Sequence, residues 1–434
     1  MYREKIKELE KWKNSKNRKP LIIRGARQVG KTWLMKQFGK ESYEKCAYIN
    51  FDDNSRMATL FSQDLDITRI IQGLKIETNI NIEPENTLII FDEVQERPEA
   101  LKALKYFYEN APEYHIIAAG SLLGVAMHEG TSFPVGKVSF IDLHPLNFYE
   151  FLLALGENQL ADLIKGTDEE LKKVFKEQLK NYLKYYFIIG GMPEVVEAYA
   201  QNHDFIEVRE KQKMLLQAYE QDFSKHAPNN IVPRIRQLWN NIPTQLAKEN
   251  KKFIYGLIKE GARAREYELA LSWLIDCGLV YQINRVKNCR IPLSAYQDFS
   301  AFKLYILDVG LLCAMAGVDP KTILEGDSIF VEFKGALAEQ YVLSELKSNN
   351  VDYIFYWTSE TGTAELDYVV QIENHNIPIE VKSNENLQAK SLKSFVEKYH
   401  TDINVRTSMS DYRREEKLIN IPLYEIGNIK NIVG

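Results

Sequence analysis

Residues 21–32 read Leu21-Ile22-Ile23-Arg24-Gly25-Ala26-Arg27-Gln28-Val29-Gly30-Lys31-Thr32, and this stretch decides the fold. Leu21-Ile22-Ile23 is an unbroken apolar run of the kind that forms a strand buried on both faces. Gly25 to Thr32 fits G-x-x-x-x-G-K-[ST], a loop whose backbone N–H groups wrap an oligophosphate. Trp33-Leu34-Met35-Lys36-Gln37-Phe38 then reads as a helix, whose N-terminus adds partial positive charge at the same point. Gly25, Ala26, Arg27, Gln28, Val29, Gly30, Lys31 and Thr32 are therefore the expected nucleotide cradle. Lys31 is placed to reach the β- and γ-phosphates and Thr32 to ligate Mg²⁺, so ATP and Mg²⁺ are the expected cofactors.

A second element about sixty residues on strengthens this reading. Thr87-Leu88-Ile89-Ile90-Phe91 is another buried-strand run, and it ends in Asp92-Glu93. An acid at the end of such a strand holds the magnesium in P-loop NTPases, which assigns Asp92. Glu93 is placed to orient and deprotonate the attacking water. The run 115–119 leads into Gly120-Ser121. Ser121 either hydrogen-bonds the γ-phosphate or the attacking water, or caps the turn that follows. Strand candidates at 21–24, 47–51, 88–91, 115–119 and 138–143 alternate with helices, which argues for a parallel sheet covered on both faces.

At 434 residues the chain is long for one core, and two or three domains are expected. Hydrophobic content of 45% and charged content of 26% are those of a soluble globular protein. No window approaches a transmembrane helix, and residues 1–8 show no apolar signal-peptide core, so no membrane association and a cytoplasmic location are expected. Cys46, Cys277, Cys289 and Cys313 are scattered without a C-x-x-C pair, which fits a reducing compartment and speaks against a zinc site. Lys+Arg against Asp+Glu runs 21 to 21 over residues 1–153, 22 to 21 over 154–320 and 12 to 18 over 321–434. No domain is basic in bulk, so any nucleic-acid contact would come from local patches.

The region from 147 to about 317 reads as mostly helical, broken sharply at Ile188-Ile189-Gly190-Gly191-Met192-Pro193. Helical stretches at 253–258 and 267–277, followed by strands at 280–285 and 293–295, outline a winged helix. Lys248, Lys251, Lys252, Lys259, Arg263 and Arg265 cluster there against Glu249 and Glu260. Three readings fit: a solvated helix end, a contact surface for a phosphate backbone, or an arginine finger from Arg263 or Arg265 reaching a neighbouring subunit's nucleotide.

Residues 321–434 return to mixed α/β, with a helix at 332–346 and strands at 353–357, 365–372 and 377–381. Side chains alternate along a strand, so Asp367 shares a face with Glu365, and Glu380 with Lys382. Asp367 and Glu380 form a candidate Mg²⁺ pair, Lys382 is placed to position water or stabilise phosphate charge, and Glu339 on the preceding helix could add a ligand. The arrangement resembles the PD-(D/E)xK nuclease motif, with Leu366 where that motif has proline. An active nuclease, a nuclease-like fold used for binding, and an unrelated fold all remain open.

Taken together, the chain resembles prokaryotic AAA-type ATPases in which a P-loop domain is fused to a C-terminal region of unknown function with a restriction-endonuclease-like end. The resemblance rests on Gly25 to Thr32, Phe91-Asp92-Glu93-Val94-Gln95, Gly120-Ser121 and Leu143-His144-Pro145-Leu146-Asn147-Phe148-Tyr149-Glu150-Phe151. It extends through Gly190-Gly191-Met192-Pro193-Glu194, Lys303-Leu304-Tyr305-Ile306-Leu307-Asp308-Val309-Gly310-Leu311 and Glu380-Val381-Lys382. It implies an α/β protein with an AAA-type P-loop domain at 1–153, a helical and winged-helix region at 154–320 and a nuclease-like α/β domain at 321–434. It also implies ATP binding and hydrolysis, with Lys31, Thr32, Asp92, Glu93 and Ser121 in matching roles. Many relatives carry Gly-Arg where this chain has Gly136-Lys137, and a lysine offers a point charge without the bidentate fork. The expected activity is an Mg²⁺-dependent ATPase acting on DNA or a protein partner, in a form compatible with a homo-oligomer. The alternatives are an ATP-regulated nuclease using Asp367, Glu380 and Lys382, and a nucleotide-gated switch without turnover.

Overall fold

The computed structural model describes residues 1–121, 134, 136–248, 251–325, 331–385 and 389–434. Glu249, counted above with the basic cluster, lies outside them. The chain divides into two compact units, Tyr2–His144 with Asp276–Gly278, and Pro145–Ile275 with Leu279–Gly434 (plus Met1).

The first unit is built on β1 (Leu21–Arg24), β2 (Lys45–Asn50), β3 (Thr87–Asp92), β4 (His115–Ala119) and β5 (Ser139–Asp142). They lie in the order β2-β3-β4-β1-β5, and every neighbouring pair is parallel. The apolar runs that predicted these strands are the fully buried ones: Thr87–Asp92 and His115–Ala119 are buried throughout. Helices cover the sheet, and Phe51, Phe61, Phe91 and Phe107 stack edge-to-face through one side of its core, with ring centroids 5.3–6.5 Å apart. The strand order matters for chemistry. Parallel strands deliver their C-terminal ends to one rim. Because β4 lies between β1 and β3, the residue leaving β4 stands between the loop after β1 and the acids ending β3.

The second unit carries an eight-stranded mixed sheet in the order β12-β13-β11-β10-β9-β8-β6-β7. Its strands are β6 (Val280–Val286), β7 (Gln297–Ile306), β8 (Tyr353–Thr358), β9 (Glu365–Ile372) and β10 (His375–Val381). β11 (Asn404–Ser408), β12 (Arg413–Glu415) and β13 (Leu418–Pro422) complete it. β6 pairs in parallel with β8 through Arg285↔Tyr356 and Val286↔Trp357, so one sheet takes strands from both sides of residue 320. The hairpin partner of β6 differs from the expected one. Leu293 to Tyr296 forms a 3₁₀ turn, and the partner strand starts at Gln297. Residues 253–258, expected helical, hold a single 3₁₀ turn at Tyr255–Leu257.

Two of the segments that carried the family resemblance form one joint. The Asp308 carboxylate accepts hydrogen bonds from Gly191 N (2.7 Å) and Leu311 N (2.9 Å). A Cβ on Gly190 would stand 2.1 Å from Asp308 Oδ1, and one on Gly310 would stand 2.4 Å from Ile189 O. The glycines are there for close approach, and burial pushes Asp308 up to about 6.

Candidate functional site

The loop Gly25 to Thr32 leaves β1 and enters the helix Lys31–Ser42 through Gly30, whose φ of +94° is the left-handed conformation glycine adopts freely. Lys31, buried, folds back and donates to Gly25 O (2.9 Å) and Ala26 O (2.7 Å). Burial lowers its pKa to about 8, against the opposing pull of Glu93 and Asp92. Two acids near Lys31 are thus engaged elsewhere. Asp92 Oδ2 accepts from Thr32 Oγ1 at 2.6 Å and from the Tyr48 hydroxyl at 3.0 Å. A hydroxyl and a carboxylate brought together in this way are the pair that would hold Mg²⁺ beside a cradle of loop N–H groups, so the donor set fits the expected group.

Glu93 sits at φ +50°, a left-handed conformation costing a non-glycine residue on the order of 1 kcal/mol. Its Oε2 accepts from Gln95 Nε2 at 2.6 Å and from Ser121 Oγ at 3.2 Å. Ser121 in turn accepts from Arg27 Nε at 3.3 Å. A chain Arg27–Ser121–Glu93–Gln95 therefore crosses the rim, with Ser121 at its centre, as the strand order requires. Ala26, Gln28 and Val29 complete the loop, and Arg3 Nη1 braces it by donating to Val29 O at 2.8 Å. Arg3 and Tyr48 carry no motif that would have singled them out, whereas Gln95 closes the segment Phe91-Asp92-Glu93-Val94-Gln95 on which the resemblance rests. Lys137 is not part of this network: it pairs with Glu109 at 3.0 Å and lies over the Tyr108 ring.

In the second unit, Asp367 and Glu380 come near Glu339 of the helix Val331–Ser348. The pairs Phe355↔Val369 and Trp357↔Leu366 leave one extra residue on β9, a bulge at Asp367-Tyr368. Such a bulge re-aims side chains. Tyr368 OH donates to Glu339 O at 2.8 Å, and Asp367 shares a hydrogen bond with the Glu339 carboxylate. Asp367 Oδ2 also accepts from Val381 N at 2.7 Å, and Lys382 Nζ pairs with Glu380 Oε1 at 2.8 Å. Removal from water and the neighbouring acids push Asp367 well above the carboxylate range. Lysines on Glu339 hold it low, against the effect of burial. Among the described residues, no three His, Cys, Asp or Glu side chains already stand as a metal-holding group.

The basic cluster is partly turned inward. Lys251 pairs with Glu339, and Lys248 donates to Gln245 Oε1 and Lys252 O, both at 2.9 Å.

Comparison with known proteins places an AAA domain at residues 17–152. Residues 180–322 and 334–426 match two domains of unknown function, DUF8612 and DUF4143. No curated protein matches the chain. Among solved structures, the Walker-type ATPase PABY2304 of Pyrococcus abyssi is 15% identical, over 72% of this chain and 94% of that one, with a TM-score of 0.45. ORC1 of Aeropyrum pernix, solved in complex with DNA, is 11% identical over 73% and 93%, with a TM-score of 0.28. AMPPCP-bound DnaA from Aquifex aeolicus is 15% identical over 61% and 73%, with a TM-score of 0.27. The N-terminal part is an AAA-type domain of P-loop ATPase fold. No helix among the described residues is long and apolar enough to cross a membrane.

Proposed function

We propose that the chain binds ATP with Mg²⁺ and hydrolyses it, and that the nucleotide cycle drives action on a nucleic-acid or protein partner. The observation that carries this reading is the contact of Thr32 Oγ1 with Asp92 Oδ2 at 2.6 Å, beside a Glu93 held by Ser121 and Gln95. Mg²⁺ bound by Thr32 and Asp92 would neutralise phosphate charge. Lys31 leaves its loop carbonyls for the β- and γ-phosphates, where an anion holds its ammonium protonated to higher pH. The loop N–H groups and the helix N-terminus hold the phosphate chain in line. Glu93, once freed from Gln95 and Ser121, orients a water and takes its proton, and Ser121 remains within reach of the γ-phosphate. Phosphate release measured on the purified chain, with Lys31→Ala and Glu93→Gln beside it, tests the proposal. Turnover unchanged by both substitutions would overturn it, and ATP binding without turnover would leave the nucleotide-gated switch.

The meeting of Asp367 and Glu380 near Glu339, with Lys382 paired to Glu380, supports a second activity, metal-dependent cleavage of nucleic acid. A plasmid-nicking assay with Mg²⁺ or Mn²⁺, run against Asp367→Ala and Glu380→Ala, tests it. Nicking that survives both substitutions would sink it.

A further inference from the structure

The helix Ala264–Asp276 is joined to β6 by Cys277, Gly278 and Leu279. Asp276–Gly278 belongs to the first unit, whereas the chain on either side of it belongs to the second. The joint has the form of a helix stop. Leu279 N donates to Leu274 O at 3.1 Å, and Gly278 adopts φ +72°. A left-handed residue followed by such a bond back to the last turn is a common helix ending, and glycine or asparagine fills it.

The cap accounts for the backbone angle of Gly278 but not for what lies against it. A Cβ there would stand 3.2 Å from Ala26 N, 3.7 Å from Ala26 Cα and 3.7 Å from Gly25 C. All three atoms belong to the peptide unit joining Gly25 to Ala26, the first of the phosphate loop. The oxygen of that same peptide, Gly25 O, accepts from Lys31 Nζ at 2.9 Å. One peptide group therefore bears the loop lysine on its carbonyl and Gly278 against its other atoms. Gly261 makes the contrast: its φ of +77° is nearly the same, yet a Cβ there would meet nothing within 4 Å.

We propose that Gly278 is a positioning residue for the phosphate loop, and that Asp276–Gly278 senses the nucleotide through the Gly25–Ala26 peptide. The proposal rests on the ATP-binding reading above. In that reading Lys31 exchanges Gly25 O for the phosphates, so the peptide under Gly278 loses its cation as the loop settles on the anion. A Cβ on residue 278 would force that peptide to give by a few tenths of an ångström. A cradle of backbone N–H groups tolerates such a displacement poorly. The helix Ala264–Asp276 runs into the segment and β6 runs out of it, so a shift at the loop is carried along the chain to both.

Calorimetric titration of the full chain with AMPPCP and Mg²⁺ tests the positioning role. Gly278→Ala and Gly278→Asn are each expected to weaken binding at least about fivefold, while Gly261→Ala, with the same backbone strain in open space, leaves it within about twofold. Asparagine suits the helix stop, so its loss of affinity isolates the contact with the loop from the strain. Thiol labelling of the unsubstituted chain, read by peptide mass spectrometry, tests the sensing. Cys277 is 3% exposed and adjoins Gly278, and Cys46 reports on the same unit from β2. AMPPCP is expected to slow labelling of Cys277 at least about threefold more than that of Cys46. Equal slowing at the two thiols overturns the proposal, as do Gly278 variants that bind AMPPCP as the parent does. If neither Gly278 variant folds, as read by circular dichroism, the joint is architectural and the proposal fails. A parent chain that binds no AMPPCP sinks the ATP-binding reading itself, and this inference with it.

Discussion

Lys31 and Lys303 are both buried and both near two acids, yet their surroundings differ in kind. Lys31 rests on two backbone carbonyls while Asp92 and Glu93 are engaged with Thr32, Tyr48, Gln95 and Ser121. Burial wins there, and the ammonium is pushed down to about 8. Lys303 touches Glu365 and approaches Glu339, and these acids outweigh burial and hold it firmly protonated. The first lysine is a charge left unsatisfied for an incoming anion. The second is consumed by the fold.

The largest effects should separate these roles. Lys31→Ala is expected to cut ATP hydrolysis on the order of 10³-fold while leaving thermal stability unchanged or raised, read by phosphate release and calorimetry. Lys303→Met should do the reverse. It leaves Glu339 and Glu365 without their buried partner, a loss of about 3–5 kcal/mol read by denaturant unfolding. Equal destabilisation by the two changes would break the comparison. Glu93→Gln is expected to lower hydrolysis about 10²–10³-fold with ATP binding retained, measured by single-turnover kinetics beside calorimetric titration.

A pH profile sharpens the contrast further. The free-site pKa of Lys31 is lowered, so below about 8 the ammonium is already present, and above it binding must take up a proton. ATP affinity should therefore hold up to about pH 8 and then fall by up to about tenfold per unit. Calorimetry in buffers of different ionisation heat would show the proton uptake, and a flat profile to about pH 9.5 would refute it. The smallest effect is expected from Tyr48→Phe, which removes one hydrogen bond to Asp92. About 1 kcal/mol of Mg²⁺-dependent ATP binding should be lost, visible as a several-fold shift in the Mg²⁺ requirement.

What could be read in the sequence was local. The strand, loop and helix around Gly30 lie within one short stretch, and the buried runs at 87–92 and 115–119 announce themselves by composition. Asp92, Glu93 and Ser121 followed because strand ends share one rim. Tyr48 and Arg3 were hidden because their partners lie on other elements. β7 was misplaced for a different reason. It opens with Gln297, Asp298 and Ser300, so its polar start masked the strand, while the alternation Leu293-Ser294-Ala295 imitated one. Lys251 looked like one more charge in a solvated basic run. Its burial depends on Glu339, 88 positions away, which no window of sequence contains.

The β6–β8 pairing has a consequence for how the chain is made. Between Arg285 and its partner Tyr356 some seventy residues must emerge from the ribosome, during which β6 has β7 on one side and an open edge on the other. Long-range parallel pairing is slow to form, and an uncovered apolar edge invites intermolecular pairing in the interval. A fragment ended near residue 320 would keep that edge permanently. It should collect in inclusion bodies, whereas the span that carries β6 through β13 should express as one cooperative unit.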